Sequence, residues 1–521
     1  MQDVILRVSP KVAASRRNVE REIARTLKIK PEEIRDLRII KRSIDARKRA
    51  VVVNLTVRVA TGPDTEVEPI VRPVAFSPVP SDAPVMVIVG AGPGGLFAAL
   101  KAVTLGIKPV VLERGRDVDS RRIDLANISR LGRINPHSNY AFGEGGAGAY
   151  SDGKLFTRSK KRGSVEEVLQ LLVQHGASPD ILIDAHPHIG SDRLPHVIKA
   201  MRQTIIENGG EVHFETLVDK IRFCDGKAVG VECGEKFYGG DAVLLATGHS
   251  AHDTFRRLHE SGVALEPKGL AMGVRLEHPQ HLIDQLQYHS REGRGKYLPA
   301  AEYSYVTQVD GRGVYSFCMC PGGVVVPAGS ADNELVVNGM SASGRSGRWA
   351  NSGMVVEIRP GDFPEFEGAG DLSMLELQEN LEHRFFEKSG NSINAPAQRM
   401  EDFTIYKESD TLPATSYAPG IHSADFHHLL PEFIAERLRK GFIDFGRKCP
   451  GFLTNDAILI GLESRTSSPV RVTRSRDTLE SVSHPRLYPV GEGAGYAGGI
   501  VSAAIDGMRA VEAFHANLIQ N

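Results

Sequence analysis

No run of about 18 consecutive apolar residues occurs in the 521-residue chain, so no segment offers itself as a membrane-crossing helix. The N-terminus is polar and lacks the charged, apolar and cleavable regions of a secretory signal. A cytoplasmic protein with no membrane partner is expected. Cysteine is scarce: Cys224, Cys233, Cys318, Cys320 and Cys449 are an odd number in no regular framework, which excludes a disulfide scaffold and fits a reducing compartment. No metal-ligating motif occurs among them, and no metal is expected.

Net charge is nearly absent as well, −1 at neutral pH, but the cancellation hides an asymmetry. Residues 1–60 carry 16 Lys and Arg against 7 Asp and Glu, a surplus of +9 that leaves −10 for the rest. The pattern of this segment is distinct too. Val4, Ile5 and Leu6 begin a short strand, Val19 to Leu27 carry a helical stripe, 37–40 is a second strand, and Val51, Val53, Leu55, Val57 and Val59 alternate in a third. A small basic βαββ module over 1–60 is predicted. Six prolines between Pro63 and Pro84 make 61–84 a stiff, extended linker to the domain that follows, with few contacts essential to any cofactor pocket there. The basic face could receive RNA, an acidic electron carrier or a carrier protein; the plainer alternative is a solvated face on a packing domain. A chain of 521 residues exceeds one compact core, so two or three domains are expected.

What the chain has in abundance is glycine at strand ends. The apolar run 84–89 suits a strand buried on both faces, and Gly90, Gly92, Gly94 and Gly95 follow it directly. Leu96, Ala99, Leu100 and Val103 then recur at helical spacing. Strand, glycine turn and helix in that order form a dinucleotide site, with the helix N-terminus aimed at phosphate. A second apolar run, 109–112, ends at Glu113, placed to accept from both hydroxyls of a ribose. Two distal segments decide which dinucleotide. Residues 241–248, ending in Thr247 and Gly248, and 486–490, ending at Gly491 and Glu492, read as further strands leaving the same sheet. A one-domain NAD site needs neither, whereas a long cofactor laid across the sheet needs several strand ends. FAD is that cofactor. The glycine-rich loop holding Gly145, Gly146, Ala147 and Gly148 can lie flat against its ring. The helix after Gly498, Gly499 and Ile500 would point its positive end at the ring's N1 and O2 edge.

Five long motifs carry a resemblance: 139–148, 151–155, 318–323, 463–471 and 491–500. On them the chain resembles the FAD-dependent oxidoreductases of the glutathione-reductase-like superfamily and, more narrowly, the bacterial and plastid NAD(FAD)-utilising dehydrogenases. The resemblance extends from the first strand to the last helix; it implies an α/β chain with a FAD-binding Rossmann-like domain of glutathione-reductase-like type over 85–250 and 471–521. An inserted α+β substrate domain over 251–470 and the N-terminal module complete the expected architecture. Arg114 and Val218 join the expected cofactor set.

Catalytic candidates are fewer. Cys318 and Cys320 share one face if 314–320 is extended, and could be a redox pair or a thiolate near the flavin. Their spacing differs from the helical C-x-x-C of disulfide reductases, which favours packing as small hydrophobes. Arg275 and Glu277 could present charge to the site or pair with each other. Arg465 could grip a carboxylate or carbonyl substrate bidentately, or form a buried pair with Glu463. Lys154, beside the glycine loop, could be a cation near the flavin, and His427–His428 a proton donor or ordinary loop residues. No second glycine-rich nucleotide motif occurs, so any NAD(P)H would dock transiently. The expected activity is hydride transfer between flavin N5 and a small organic substrate, a monooxygenase being a variant of it. The alternative is a flavoprotein whose N-terminal module binds RNA or another acidic partner.

Overall fold

The computed structural model describes residues 1–62, 66–157 and 163–520. Its organising element is the strand Val85–Val89, in which Met86, Val87 and Ile88 are fully buried. That strand is the third of five parallel strands, in the order Leu487–Pro489, Ala242–Leu245, Val85–Val89, Lys108–Leu112, Glu211–His213. Helices on both faces explain why these strands read as unbroken apolar runs. Helix Pro93–Thr104 leaves the first strand through the glycine turn and packs on the last helix, Ile500–Gln520. Their backbones touch: a Cβ on Gly507 would stand 2.1 Å from the Gly94 carbonyl oxygen. A three-stranded antiparallel meander, Lys220–Cys224, Lys227–Cys233 and Lys236–Gly239, sits between the fifth strand and Ala242–Leu245 in the chain.

After Ala242–Leu245 the chain leaves this sheet and returns to it only at Leu487–Pro489. The outgoing strand Leu265–Pro267 and the returning strand Val470–Val472 pair antiparallel with each other. Between them lies a large sheet in the order Val306–Val309, Arg312–Pro327, Trp349–Ile358, Leu270–Pro279, Ile458–Glu463, Ala395–Arg399, Ile421–Ser423, with Val337–Met340 on the far end of Arg312–Pro327. All its pairings are antiparallel except the last of the main path. Strand alternation gives it two unlike faces. Met272, Val274 and Leu276 join Phe385, Phe403, Phe442 and Phe445 in a core under helices Ser373–Lys388 and Glu432–Lys448. The opposite face carries Arg275 and Glu277, also buried.

At the N-terminus, Gln2–Val8, Val52–Ala60 and Asp36–Asp45 form an antiparallel sheet in that order, with helix Arg16–Leu27 across it. Val19 and Ile23 on that helix are buried against Leu6, Leu55 and Val57, each such burial contributing about 1.5–3 kcal/mol. The module is tied to the rest of the chain. Arg42 donates to both oxygens of Asp184 at 2.6 and 2.9 Å, and its backbone pairs with Ile183 and Ala185.

The linker is more than a bare spacer. Residues 63–65 lie outside the described residues, but the remainder is extended and held along its length. Gln170 accepts from the N–H of Arg72 and donates to the Ile70 carbonyl; Gln174 accepts from and donates to Val74. Four residues apart on helix Val165–Gln174, the two side-chain amides stand in for the neighbouring strand that an extended, proline-interrupted segment lacks. Replacing both glutamines by alanine should free this segment. Limited proteolysis should then cut within 66–84 where the parent chain resists, with a stability loss of about 1 kcal/mol per hydrogen bond removed. Unchanged cleavage would show that the prolines alone hold it.

Candidate functional site

The carboxyl ends of the parallel strands open into a cavity of about 1160 Å3, large beside the roughly 300–1,000 Å3 of ordinary ligand sites. The polar face of the large sheet covers it. Gly90, Gly92, Gly94, Glu113, Arg114, Gly146, Ala147, Gly148, Val218, Thr247, Gly248, Gly491, Glu492, Gly498, Gly499 and Ile500 all line it. Gly95 and Gly145 lie outside the lining. Both are small for packing reasons. A Cβ on Gly95 would fall 1.9 Å from the Gly90 carbonyl oxygen, and one on Gly145 would fall 2.4 Å from Ile198 Cδ1.

Glu113 ends the strand Lys108–Leu112 as expected, but its carboxylate is already occupied. Oε2 accepts from the N–H of Ala91 at 2.8 Å, and Oε1 accepts from Gly115 at 2.9 Å and Gly143 at 3.0 Å. Of about four acceptor positions on a carboxylate, three hold the chain's own loops. One remains for a ribose hydroxyl, not the pair expected. Arg114 beside it forks onto Asp253 at 2.9 and 3.1 Å and lies over the Phe142 ring.

Two helix N-termini face the cavity. Neither Pro93–Thr104 nor Ile500–Gln520 has an acidic residue in its first turn, and Gly92 gives the first no side-chain cap. Their free N–H groups and positive dipole ends therefore suit a phosphate and a ring edge gaining negative charge. Gly498 supplies a test of fit. A Cβ there would meet no atom of the chain within 4 Å, and the residue has no positive φ. No contact among the described residues requires it to be glycine, and the bare backbone leaves room for a flat ligand against it. The residues present fit FAD.

The glycine loop is shaped by a residue that the sequence did not single out. Arg121, fully buried on helix Val118–Leu131, donates to the carbonyls of Asn139, Tyr140 and Glu144. Asp506 does the same for the last strand end: it accepts from the Gly491 N–H at 2.8 Å and pairs with Arg474. A charge inside an otherwise apolar helical stripe was the available signal for both.

The catalytic candidates fare unequally. Arg465 lines the cavity but is committed elsewhere: Nε and Nη2 donate to Glu382 at 3.0 and 2.8 Å, Nη2 also to Glu334, and Nη1 to Ser330. Four of its five N–H groups are taken, so a bidentate grip on substrate is ruled out, and the partner is not Glu463. Glu463 instead holds Arg275 at 3.0 Å, and Glu277 accepts from Ser416, so Arg275 and Glu277 do not pair with each other. His427 stacks on Phe403 and lies outside the cavity lining, as does His428. Lys154 lines the cavity at its polar end, where Asp152, His186, Glu302 and Arg345 also gather, and lies 2.9 Å from Asp152, which Arg345 also holds. Cys318 lines the cavity and Cys320 is buried just behind it. Sequence reasoning missed Arg345 and the His186–Glu302 pair at this end.

Two predictions follow from these positions. Glu113→Ala strands three N–H groups, each worth about 1–3 kcal/mol when left unmet, so it should destabilise the flavin-free protein itself by denaturant unfolding. A loss seen only in cofactor retention would refute that structural role. Glu492, half-buried in the lining, has its carboxyl pushed up to about 7 by burial, with Lys268 opposing. The folded state thus holds a proton that the unfolded chain releases near 4.5, and stability falls as pH rises through that window. Glu492→Gln should remove this fall, a difference of about 1–3 kcal/mol between pH 5 and 7 in flavin-free protein. Parallel pH profiles for the two chains would refute it.

Residues 269–466 match the family model described as FAD-dependent protein, C-terminal domain-like, and residues 1–60 match a domain of unknown function. An uncharacterized protein of Clostridium beijerinckii is 41% identical over 511 residues, with 95% of each chain covered. Solved structures are more remote. A geranylgeranyl bacteriochlorophyll reductase-like protein of Thermoplasma acidophilum is 12% identical, with 84% of this chain and 79% of that one covered at a TM-score of 0.35. Glycerol-3-phosphate dehydrogenase of Bacillus halodurans, complexed with FAD, is 13% identical, with 84% and 66% covered at a TM-score of 0.36. Likenesses that loose carry no argument about function. The Clostridium relative shows the family: this chain belongs to the same family as that uncharacterized protein, and its residues 269–466 are similar to the C-terminal domain of FAD-dependent proteins.

Proposed function

We propose that this protein is an oxidoreductase whose FAD lies in the cavity at the strand ends and exchanges hydride with a small unsaturated or carbonyl compound, with NAD(P)H docking transiently as reductant. One arrangement carries the proposal: two helix N-termini with no acidic residue in their first turns and a glycine with open space beside it converge on a single cavity covered by the large sheet. The N-terminus of Pro93–Thr104 would hold the pyrophosphate and Glu113 one ribose hydroxyl. Gly146–Gly148 and the N-terminus of Ile500–Gln520 would take the ring. When bound, the flavin supplies a two-electron carrier that gives or takes hydride at N5.

The chain's own part is binding, proton supply and exclusion of water. At the polar end, Glu302 holds the His186 imidazole above its usual pKa, which favours its protonated, donating form. Asp152 between Arg345 and Lys154 leaves a net positive rim there, suited to a substrate that gains negative charge as it is reduced.

The protein should purify yellow, and the chromophore released by heat should be FAD. Anaerobic mixing with NADH, NADPH or dithionite, followed at the flavin absorption band, should bleach it. Recovery of FMN, or a folded colourless protein that does not take up added FAD, would overturn the proposal.

A further inference from the structure

The strand Arg312–Pro327 breaks its own register at the cavity wall. Its pairing with Trp349–Ile358 shifts between Phe317 and Cys320, and Cys318 sits at φ +46°, a left-handed conformation uncommon for a residue with a side chain. Regular alternation would put the two sulfurs on one face at a distance set by the pleat. The bulge instead leaves Cys320 Sγ donating to the Cys318 carbonyl at 3.4 Å, with Cys318 on the cavity lining and Cys320 behind it. Strain of this kind persists where the surroundings fix it, and here they do. Arg275 Nη2 donates both to the Cys318 carbonyl at 2.8 Å and to Cys320 Sγ at 3.4 Å, while Lys154 Nζ lies 3.9 Å from the same sulfur.

A pair of cysteines acting as small hydrophobes has no use for two cations. We propose that Cys318 and Cys320 form a dithiol–disulfide couple that exchanges an electron pair with the cofactor in the cavity, so that the protein stores four electrons per flavin. The proposal rests on the assignment of FAD to this cavity. In the oxidative direction the Cys318 thiolate and the Cys320 thiol form one S–S bond and release two electrons and one proton. Oxidised flavin takes both, becoming singly protonated reduced flavin, and the charges balance at −1 on each side. In reverse, the reduced cofactor cleaves the disulfide.

The surrounding charges support the thiolate. The Cys320 contact, then the Lys154 and Arg275 charges, hold Cys318 well below the ordinary thiol range against the effect of burial and of Asp152. The same contact and burial push Cys320 up, which keeps the proton on the inner sulfur. Glu463 and Glu492 also face Cys318, but Glu463 is neutralised by Arg275 and burial favours the protonated form of Glu492. A thiolate outside and a thiol inside is the division of labour that thiol–disulfide exchange requires.

Three measurements on the full-length protein test the couple. Iodoacetamide labelling mapped by peptide mass spectrometry, on flavin-free protein, should modify Cys318 at a pH at least one unit below that needed for exposed Cys224, and Lys154→Met should shift the Cys318 profile upward. Diamide oxidation should yield a Cys318–Cys320 disulfide. Anaerobic dithionite titration of the oxidised, flavin-loaded protein should consume four electrons per flavin, and two in Cys318→Ser or Cys320→Ser. Labelling of Cys318 in step with Cys224, no such disulfide, or two electrons in every chain would each overturn it. A protein that binds no flavin but still forms the disulfide and labels early would instead sink the FAD assignment while leaving the thiol chemistry standing.

Discussion

One carboxylate closes the cofactor end of this protein. Glu113 accepts from Ala91 in the first glycine turn, from Gly115 after its own strand and from Gly143 in the loop below. These three segments come from different parts of the chain, and the carboxylate adds to the few backbone bonds that join them, Gly145 N–H to the Ala91 carbonyl and Glu144 N–H to the Arg116 carbonyl. An anion that gathers their N–H groups fixes the spacing between the two glycine loops, leaving Gly92 and Gly146 in backbone contact. A cofactor then meets walls already in place, and little of its binding energy goes into ordering them.

The rest of the site depends on buried charge arranged in closed groups. Arg121 is surrounded by carbonyls, Arg465 by two glutamates, Arg275 by Glu463 and sulfur, and Arg474 by Asp506. Each guanidinium presents a planar fork that satisfies several acceptors at once, which a lysine could not do. Removing one partner from such a group leaves the other buried and unpaired, at far greater cost than removing both. The cavity walls are therefore rigid where they are polar. Lys154, with about a third of its side chain exposed, is the looser cation among them.

The sequence made legible what is local. Strand, glycine turn and helix at 85–104, the second strand to Glu113 and the late strand before Gly491 are short-range patterns, and the structure places their ends in one cavity. The linker's anchors were not legible because its partners, Gln170 and Gln174, lie about 100 residues away on a helix whose amphipathic pattern concealed them. Arg465 was misread for a similar reason. Its partners Glu334 and Glu382 are 131 and 83 residues distant, and only folding shows that they, not Glu463, take its donors. The cysteines were read as a regular strand pair, but the bulge that joins them comes from register with a neighbouring strand, which periodicity within one segment does not report.

The antiparallel zip of Leu265–Pro267 on Val470–Val472 has a consequence for how the chain is made. The parallel sheet acquires its last strand, Leu487–Pro489, only after everything between Leu245 and that strand has been synthesised. At about 5–20 residues per second that interval is on the order of tens of seconds. Throughout it the strand Ala242–Leu245 presents an open, wholly apolar edge, the kind that recruits a second nascent chain. The zip shortens the exposure at its end. Once Val470–Val472 finds its partner, the final strand is delivered within about fifteen residues of its place, and the search becomes local.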